Sequence, residues 1–210
     1  MIYNTRAVVL NNLSYGDTNL IVDLYTEKIG RQSIFINGAL SKKSSMRYAM
    51  FQSLQLLEVD LHHRENRQLQ RISNIQLYYN FQNIQYNPTK SCLAIFIAEV
   101  LYKTLKEEAS NNELFKFLLN AIQTLDLNNN GTANFHIAFL IHYSRYLGFS
   151  LKYENTLAQL SEISFDNLNN FLLNKSQRNT ITEYLLGRYS TYIENFGDIK
   201  SFSVLKNVFA

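Results

Sequence analysis

The run Asn19-Leu20-Ile21-Val22-Asp23-Leu24-Tyr25-Thr26-Glu27-Lys28-Ile29-Gly30-Arg31-Gln32-Ser33-Ile34-Phe35-Ile36-Asn37 decides the architecture of this chain. Leu20, Val22 and Leu24 alternate with Ile21, Asp23 and Tyr25, so one face of a strand is better buried than the other. Glu27-Lys28-Ile29-Gly30 interrupts the pattern, with Gly30 free to take positive φ. Alternation resumes from Arg31, with Ile34 and Ile36 on one face, and the whole predicts a hairpin. Working outward, Arg6 to Leu10 is a first strand, Phe51 to Leu61 a fourth and Leu69 to Leu77 a weaker fifth. Gly38 ends the hairpin, and a polar, basic loop begins at Ser41. Five short strands without crossover helices are too few for a sandwich and suit a small closed barrel.

After Tyr78 the apolar period lengthens to that of a helix. Asn87-Pro88 is an N-cap followed by proline at the first helical position. Leu93, Phe96, Ile97, Val100, Leu101 and Leu105 then form a stripe. Asn112 caps a second predicted helix that ends at Asn128-Asn129-Asn130-Gly131, and Thr132 opens a third that stops at Gly148. Further helices are predicted over 166–174, 177–195 and 202–209, while 149–164 is ambiguous. The expected class is α+β in two domains: a five-stranded β-barrel over residues 1–80, then an all-α helical bundle over 81–210.

Composition narrows the function. With 46% hydrophobic and 13% aromatic residues, the chain can offset the entropy of ordering and is not disordered. Its longest apolar-rich stretch, Cys92 to Leu101, carries Glu99 and is about half the ~20 residues of a membrane span. The N-terminus leads into alternation rather than a secretory signal, and one cysteine, Cys92, allows no intramolecular disulfide. A cytoplasmic location without membrane association is therefore expected. The net charge of +3 is unevenly placed: residues 1–80 hold nine basic and six acidic side chains, and 81–210 hold eleven of each. A basic excess attracts polyanions, chiefly nucleic acid.

Chemical motifs are missing. The sequence has neither a Gly-x-Gly-x-x-Gly nor a phosphate loop with Gly-Lys-Ser/Thr, and no Gly-x-Ser-x-Gly. His62 and His63 are strand neighbours pointing to opposite faces, and His136 and His142 are poorly aligned on a helix. No metal, cofactor or catalytic residue is expected, and the protein is expected not to be an enzyme.

Thr5-Arg6-Ala7-Val8-Val9-Leu10, Tyr15-Gly16-Asp17 before Leu20-Ile21-Val22, Tyr25-Thr26-Glu27 and Gly30-Arg31 together resemble the opening of the bacterial recombination mediator family RecO. Gly38 with Lys42-Lys43, and Phe51-Gln52, continue the likeness. Pro88, Ala98-Glu99, Leu101-Tyr102, Glu107-Glu108, Arg145-Tyr146-Leu147-Gly148-Phe149 and Lys200-Ser201-Phe202-Ser203-Val204-Leu205 fit its later patterns. The resemblance implies an N-terminal oligonucleotide-binding (OB) fold and a helical C-terminal domain. It also implies binding of single- and double-stranded DNA, annealing of complementary strands, and cooperation with RecR in replacing single-strand-binding protein (SSB) by RecA. A nucleoid-associated place in the cytoplasm and a part in the SOS response would follow. Many members carry a four-cysteine zinc site after the Leu-Gly of the third helix; this chain has no cysteine from Phe149 onward, so zinc is not expected.

On that basis the expected phosphate contacts are Arg6, Arg31, Lys42, Lys43, Arg47, Arg64, Arg67 and Arg71. Arg6 and Arg31 equally suit bracing the barrel through ion pairs. Of the aromatic residues Tyr15, Phe35 and Tyr48, the last is the best base-stacking candidate, because it sits in the basic loop, and Phe35 suits the core better. The neutral helical domain is expected to receive the acidic, aromatic-ended SSB tail, with Arg145, Lys103, Lys175 and Arg178 as rim and Tyr143 or Phe139 as wall. A protein-only adaptor whose barrel binds peptide and not DNA remains an alternative, as does an enzyme using the histidines.

Overall fold

The computed structural model describes residues 1–40, 48–106, 109–149, 151, 160 and 162–209. Five strands, β1 (Ile2–Tyr15), β2 (Asn19–Thr26), β3 (Gly30–Ile36), β4 (Leu56–His62) and β5 (Leu69–Leu77), form a closed barrel in the order β1-β2-β3-β5-β4. All pairings are antiparallel except β3 with β5, which runs parallel through Ser33↔Leu69 and Ile34↔Gln70 and closes the barrel. This is the small five-stranded architecture of an OB fold. Its interior is filled by Ala7, Val9, Leu20, Val22, Leu24, Ile34, Ile36, Leu57, Val59 and Leu61, with Phe51 and Ala39 completing the core.

Two strand boundaries differ from expectation. β1 is longer than Arg6 to Leu10 because its first half pairs with β4 and its second half with β2, about a register shift between Val9 and Asn11. β4 starts at Leu56 rather than Phe51. Residues 51–54 turn instead, with Phe51 N–H donating to Tyr48 O and Leu54 at φ 63.

Helices α1 (Pro88–Thr104), α2 (Asn112–Leu127), α3 (Phe135–Tyr146), α4 (Lys175–Tyr192) and α5 (Ser201–Val208) follow. Asn87 Oδ1 accepts from Thr89 N–H at 3.0 Å, so the Asn-Pro start acts as expected. The cap of α2 is Asn111, whose Oδ1 accepts from Leu114 N–H at 3.0 Å, one residue earlier than Asn112. The expected helix over 166–174 is instead a turn, one 3₁₀ turn at Leu168–Asn170 and an extended segment. Buried Asn134 draws the carbonyls of Leu168 and Phe171 onto its Nδ2, at 3.2 and 2.6 Å, and competes with helical pairing. The chain divides into two compact units, 1–81 with 97–119 and 82–96 with 120–210. Among the described residues no helix is long and apolar enough to cross a membrane.

Candidate nucleic-acid interface

The hairpin between β4 and β5 is held in shape by one buried amide. Gln70 is 4% exposed, on the inward phase of β5. Its Oε1 accepts from Arg64 N–H at 2.9 Å, and its Nε2 donates to Arg64 O at 3.0 Å and Arg67 O at 2.7 Å. Arg67 N–H closes the turn on Arg64 O at 3.1 Å. On the other side, His63 N–H donates to Met1 O at 2.9 Å, and the Met1 ammonium donates to His63 O at 3.0 Å. The Tyr3 ring meets His63 edge-on at 6.1 Å. The backbone at His63, Arg64 and Arg67 is therefore engaged, while the side chains from Arg64 to Leu69 are exposed.

The charge there is mostly cationic. Arg64, Arg67 and Arg71 are exposed, and among the described residues none has an ion-pair partner. Glu65 is the one carboxylate between His62 and Ile72. Three adjoining recesses follow the hairpin, of about 560, 480 and 310 Å³. The first and second share Arg64 and Arg67; the second and third share Arg71 and Ile72. The third is walled by Phe35, Ser73 and Asn74. Neighbouring recesses thus share arginine residues, an electrostatic arrangement suited to phosphates.

The other expected DNA contacts fall differently. Arg6 is committed internally: its Nε donates to Glu27 Oε2 at 2.8 Å, its Nη2 pairs with Glu27 Oε1, and its Nη1 donates to Tyr78 Oη at 3.1 Å. The hydrogen-bonded guanidinium holds the Glu27 carboxyl below its usual range, and the Arg6 pKa is raised in turn. Arg31 Nη1 donates to Tyr102 O and Leu105 O, both at 2.8 Å, and its Nη2 lies 3.5 Å from Asp23 Oδ1. It thereby ties β3 to the C-terminal carbonyls of α1. Tyr48 is 39% exposed. Lys42, Lys43 and Arg47 lie outside the described residues.

Of the residues expected to receive an acidic peptide, Lys103 belongs to the barrel's unit and lies 3.8 Å from Glu99. The other five belong to the second unit. Arg145 and Lys175 are exposed. Arg178 is half-buried, donating to Leu173 O and, at 3.3 Å, to Phe209 O. Tyr143 and Phe139 are fully buried, their rings stacked 5.5 Å apart.

Sequence reasoning missed Gln70, Tyr3 and His63. For Gln70 a signal exists: it occupies the same inward phase as Ile72, where an amide must find internal partners. It also mistook Phe35. The alternation that buries Ile34 and Ile36 necessarily turns Phe35 outward, where it is half-buried against Tyr15.

Residues 1–81 match the family model "Recombination protein O N terminal", and residues 85–156 match "Recombination protein O C terminal". The chain is 30% identical to the DNA repair protein RecO of Phocaeicola vulgatus, covering 100% of both chains. It is 31% identical to that of Bacteroides fragilis over 100% of both. It is 32% identical to that of Flavobacterium psychrophilum over 98% of both.

Proposed function

Since this chain belongs to the RecO family, we propose that it is a DNA-binding recombination mediator of DNA repair. The observation that carries this reading is the groove along the β4–β5 hairpin, with Arg64, Arg67 and Arg71 exposed and unpaired among the described residues. Their guanidinium groups hold phosphates of a single or a double strand without reading sequence, because phosphates are common to every base. Lys42, Lys43 and Arg47 add further positive charge to the same stretch of sequence, residues 1–80. Arg6 and Arg31 act instead as braces, of the barrel and of the end of α1.

Annealing of complementary strands then needs no chemical step. Partial neutralisation of two backbones lowers their repulsion and lets bases find their complements, and a moderate charge lets the product leave. The second unit, with eight basic and seven acidic residues, serves protein partners. We assign to it the SSB tail, with Arg145 and Lys175 as exposed cations and Arg178 nearer the core. With RecR, the protein would help exchange SSB for RecA.

The test is fluorescence anisotropy with a labelled single-stranded oligonucleotide over a range of salt. Wild type should bind with a log–log salt slope of ~0.7 per neutralised phosphate. Arg64→Ala/Arg67→Ala/Arg71→Ala should bind more weakly, with the slope shallower by about 2. Equal affinity and slope in the two proteins would remove the hairpin from the interface, and absence of binding by wild type at low salt would overturn the DNA-binding reading.

A further inference from the structure

The second unit closes one of its cations under an aromatic ring of its own. Helix α5 is anchored by Phe202 and Leu205, both buried, with the Phe202 ring 6.1 Å from that of Phe96. Phe209 follows the helix and is half-buried, at φ −98 and ψ 61. Its ring stacks on that of His136 at 6.2 Å and 11°, and Arg178 Cζ lies 5.7 Å from its centre. Arg178 Nη2 donates to Phe209 O at 3.3 Å, longer than most such bonds, and Nη1 donates to Leu173 O. Among the described residues no carboxylate pairs with this guanidinium.

Two features show that Phe209 is an exchangeable occupant of this seat. The first is an acceptor without a donor. Thr182 Oγ1 donates its proton to Arg178 O at 2.7 Å, so His136 Nε2 is the donor in the 2.9 Å bond between imidazole and hydroxyl. Nδ1 is then a bare acceptor, buried and without a partner among the described residues. Sealing such an atom under a ring forfeits the bond that water would make, so the closed arrangement is weaker than an all-apolar one. The second is that Arg178 meets only neutral carbonyls, although a carboxylate on a guanidinium makes a shorter and stronger bond. Lys175, exposed three positions earlier on α4, is a neighbour of Arg178 on the helix surface and can meet the same anion. Phe209 can withdraw by turning about its own backbone, because it lies outside the helix and α5 keeps both anchors.

We propose that Phe209 is a built-in competitor, holding on His136 and Arg178 the seat that an aromatic-ended acidic peptide takes by displacing it. This rests on the reading above that the second unit receives such a tail, and it adds the regulation of that site. The incoming ligand must bring two parts. Its ring replaces that of Phe209 on the imidazole, and its carboxylates replace the Phe209 carbonyl on Arg178 and reach Lys175. A ring alone gains nothing over Phe209, and charge alone leaves the ring in place. The seat therefore stays shut to ordinary acidic segments and opens for a peptide that carries both.

The experiment uses the full chain and two fluorescein-labelled peptides, a run of aspartates ending in phenylalanine and the same run ending in alanine. By anisotropy, Phe209→Ala should bind the phenylalanine-ended peptide roughly three- to tenfold more tightly than wild type, since the seat is then always open. The alanine-ended peptide should show no such gain. The chain has no tryptophan, so Phe209→Trp places a single indole in the seat and keeps it filled. Unlabelled phenylalanine-ended peptide should then move the indole emission to longer wavelength, as the ring is driven into water. This arm holds even if Phe209→Ala folds poorly. Binding by Phe209→Ala alone, with none by wild type, would support the competitor more strongly still. Weaker binding by Phe209→Ala would overturn it, as would equal binding without an emission shift. If Arg145→Ala/Lys175→Ala still weakens binding in that last case, the tail reading stands with its ring seated elsewhere. Absence of binding by every variant would remove both readings.

Discussion

Asp126 is fully buried, yet its carboxylate is saturated. Oδ2 accepts from Gln82 N–H at 2.9 Å, and Oδ1 accepts from Asn83 and Ile84 N–H at 2.8 Å each. Lys90, 1% exposed, donates from Nζ to Asp126 O at 2.6 Å and to Asn129 Oδ1 at 3.1 Å, and burial lowers its pKa. Three backbone donors thus meet one charge, and a side-chain ammonium meets the carbonyl of the same residue, so the start of α1 and the end of α2 are locked inside the second unit. Asp126→Asn keeps the shape but replaces one acceptor oxygen by a donor facing an N–H. We expect a loss of about 2–4 kcal/mol, read as a lower denaturant midpoint at unchanged m-value. A loss below about 0.5 kcal/mol would mean that the three N–H groups find other acceptors.

Among the elements, the β4–β5 hairpin shows how a turn can be shaped by a residue outside it. The Gln70 amide performs the pairing that a tighter turn would do with its own backbone. Gln70→Leu fits the barrel interior but leaves Arg64 N–H and the carbonyls of Arg64 and Arg67 without that partner. The turn then samples other shapes, and the two guanidinium groups no longer lie in a row. Affinity for a single-stranded oligonucleotide should fall about three- to tenfold, with the melting temperature lowered by only a few degrees. An unchanged affinity would show that the arginines act by charge alone, whatever the shape of the turn. Helix α4 offers a contrast, since its start is local: Asn174 Oδ1 accepts from Gln177 N–H and Gln177 Oε1 accepts from Asn174 N–H, both at 2.9 Å.

Across the whole molecule, charge and titration are distributed by unit. Arg64, Arg67 and Arg71, without ion-pair partners among the described residues, lie on the barrel, whereas the second unit carries a buried imidazole. His136 bonds through Nε2 to Thr182 Oγ1 at 2.9 Å, and its ring lies between Phe96 and Phe209. Burial, and secondarily the charge of Arg178, push its pKa down from 6.5 to about 3. A depressed pKa means that the unfolded chain takes up a proton first as pH falls. His136 therefore contributes no penalty above pH 6.5, and stability is lost progressively between 6.5 and about 3. At pH 5 this amounts to about 2 kcal/mol. His142, lowered mainly by burial, acts with the same sign. In His136→Gln, which cannot titrate, the drop in stability from pH 7 to pH 5 should shrink by about that amount. An identical drop in both proteins, by thermal melting at the two pH values, would place the acid sensitivity elsewhere.

The features determined by sequence alone are those whose causes lie within a few residues. Alternation at Leu20, Val22 and Leu24 set the strand, Asn87-Pro88 set the start of α1, and Gly148, at φ 81, set the end of α3. The resemblance in ordered short motifs likewise needed no structure, and the basic excess of the first eighty residues was countable. Tertiary structure decided which cations are free. Arg6 and Arg64 are equally basic in sequence, but Arg6 finds Glu27 across 21 positions and Arg31 finds the end of α1 across 71 and 74. The parallel closure of β3 on β5 and the clamp by Gln70 are of the same kind. Each depends on which distant segments the closed barrel brings together, and local periodicity carries no record of that.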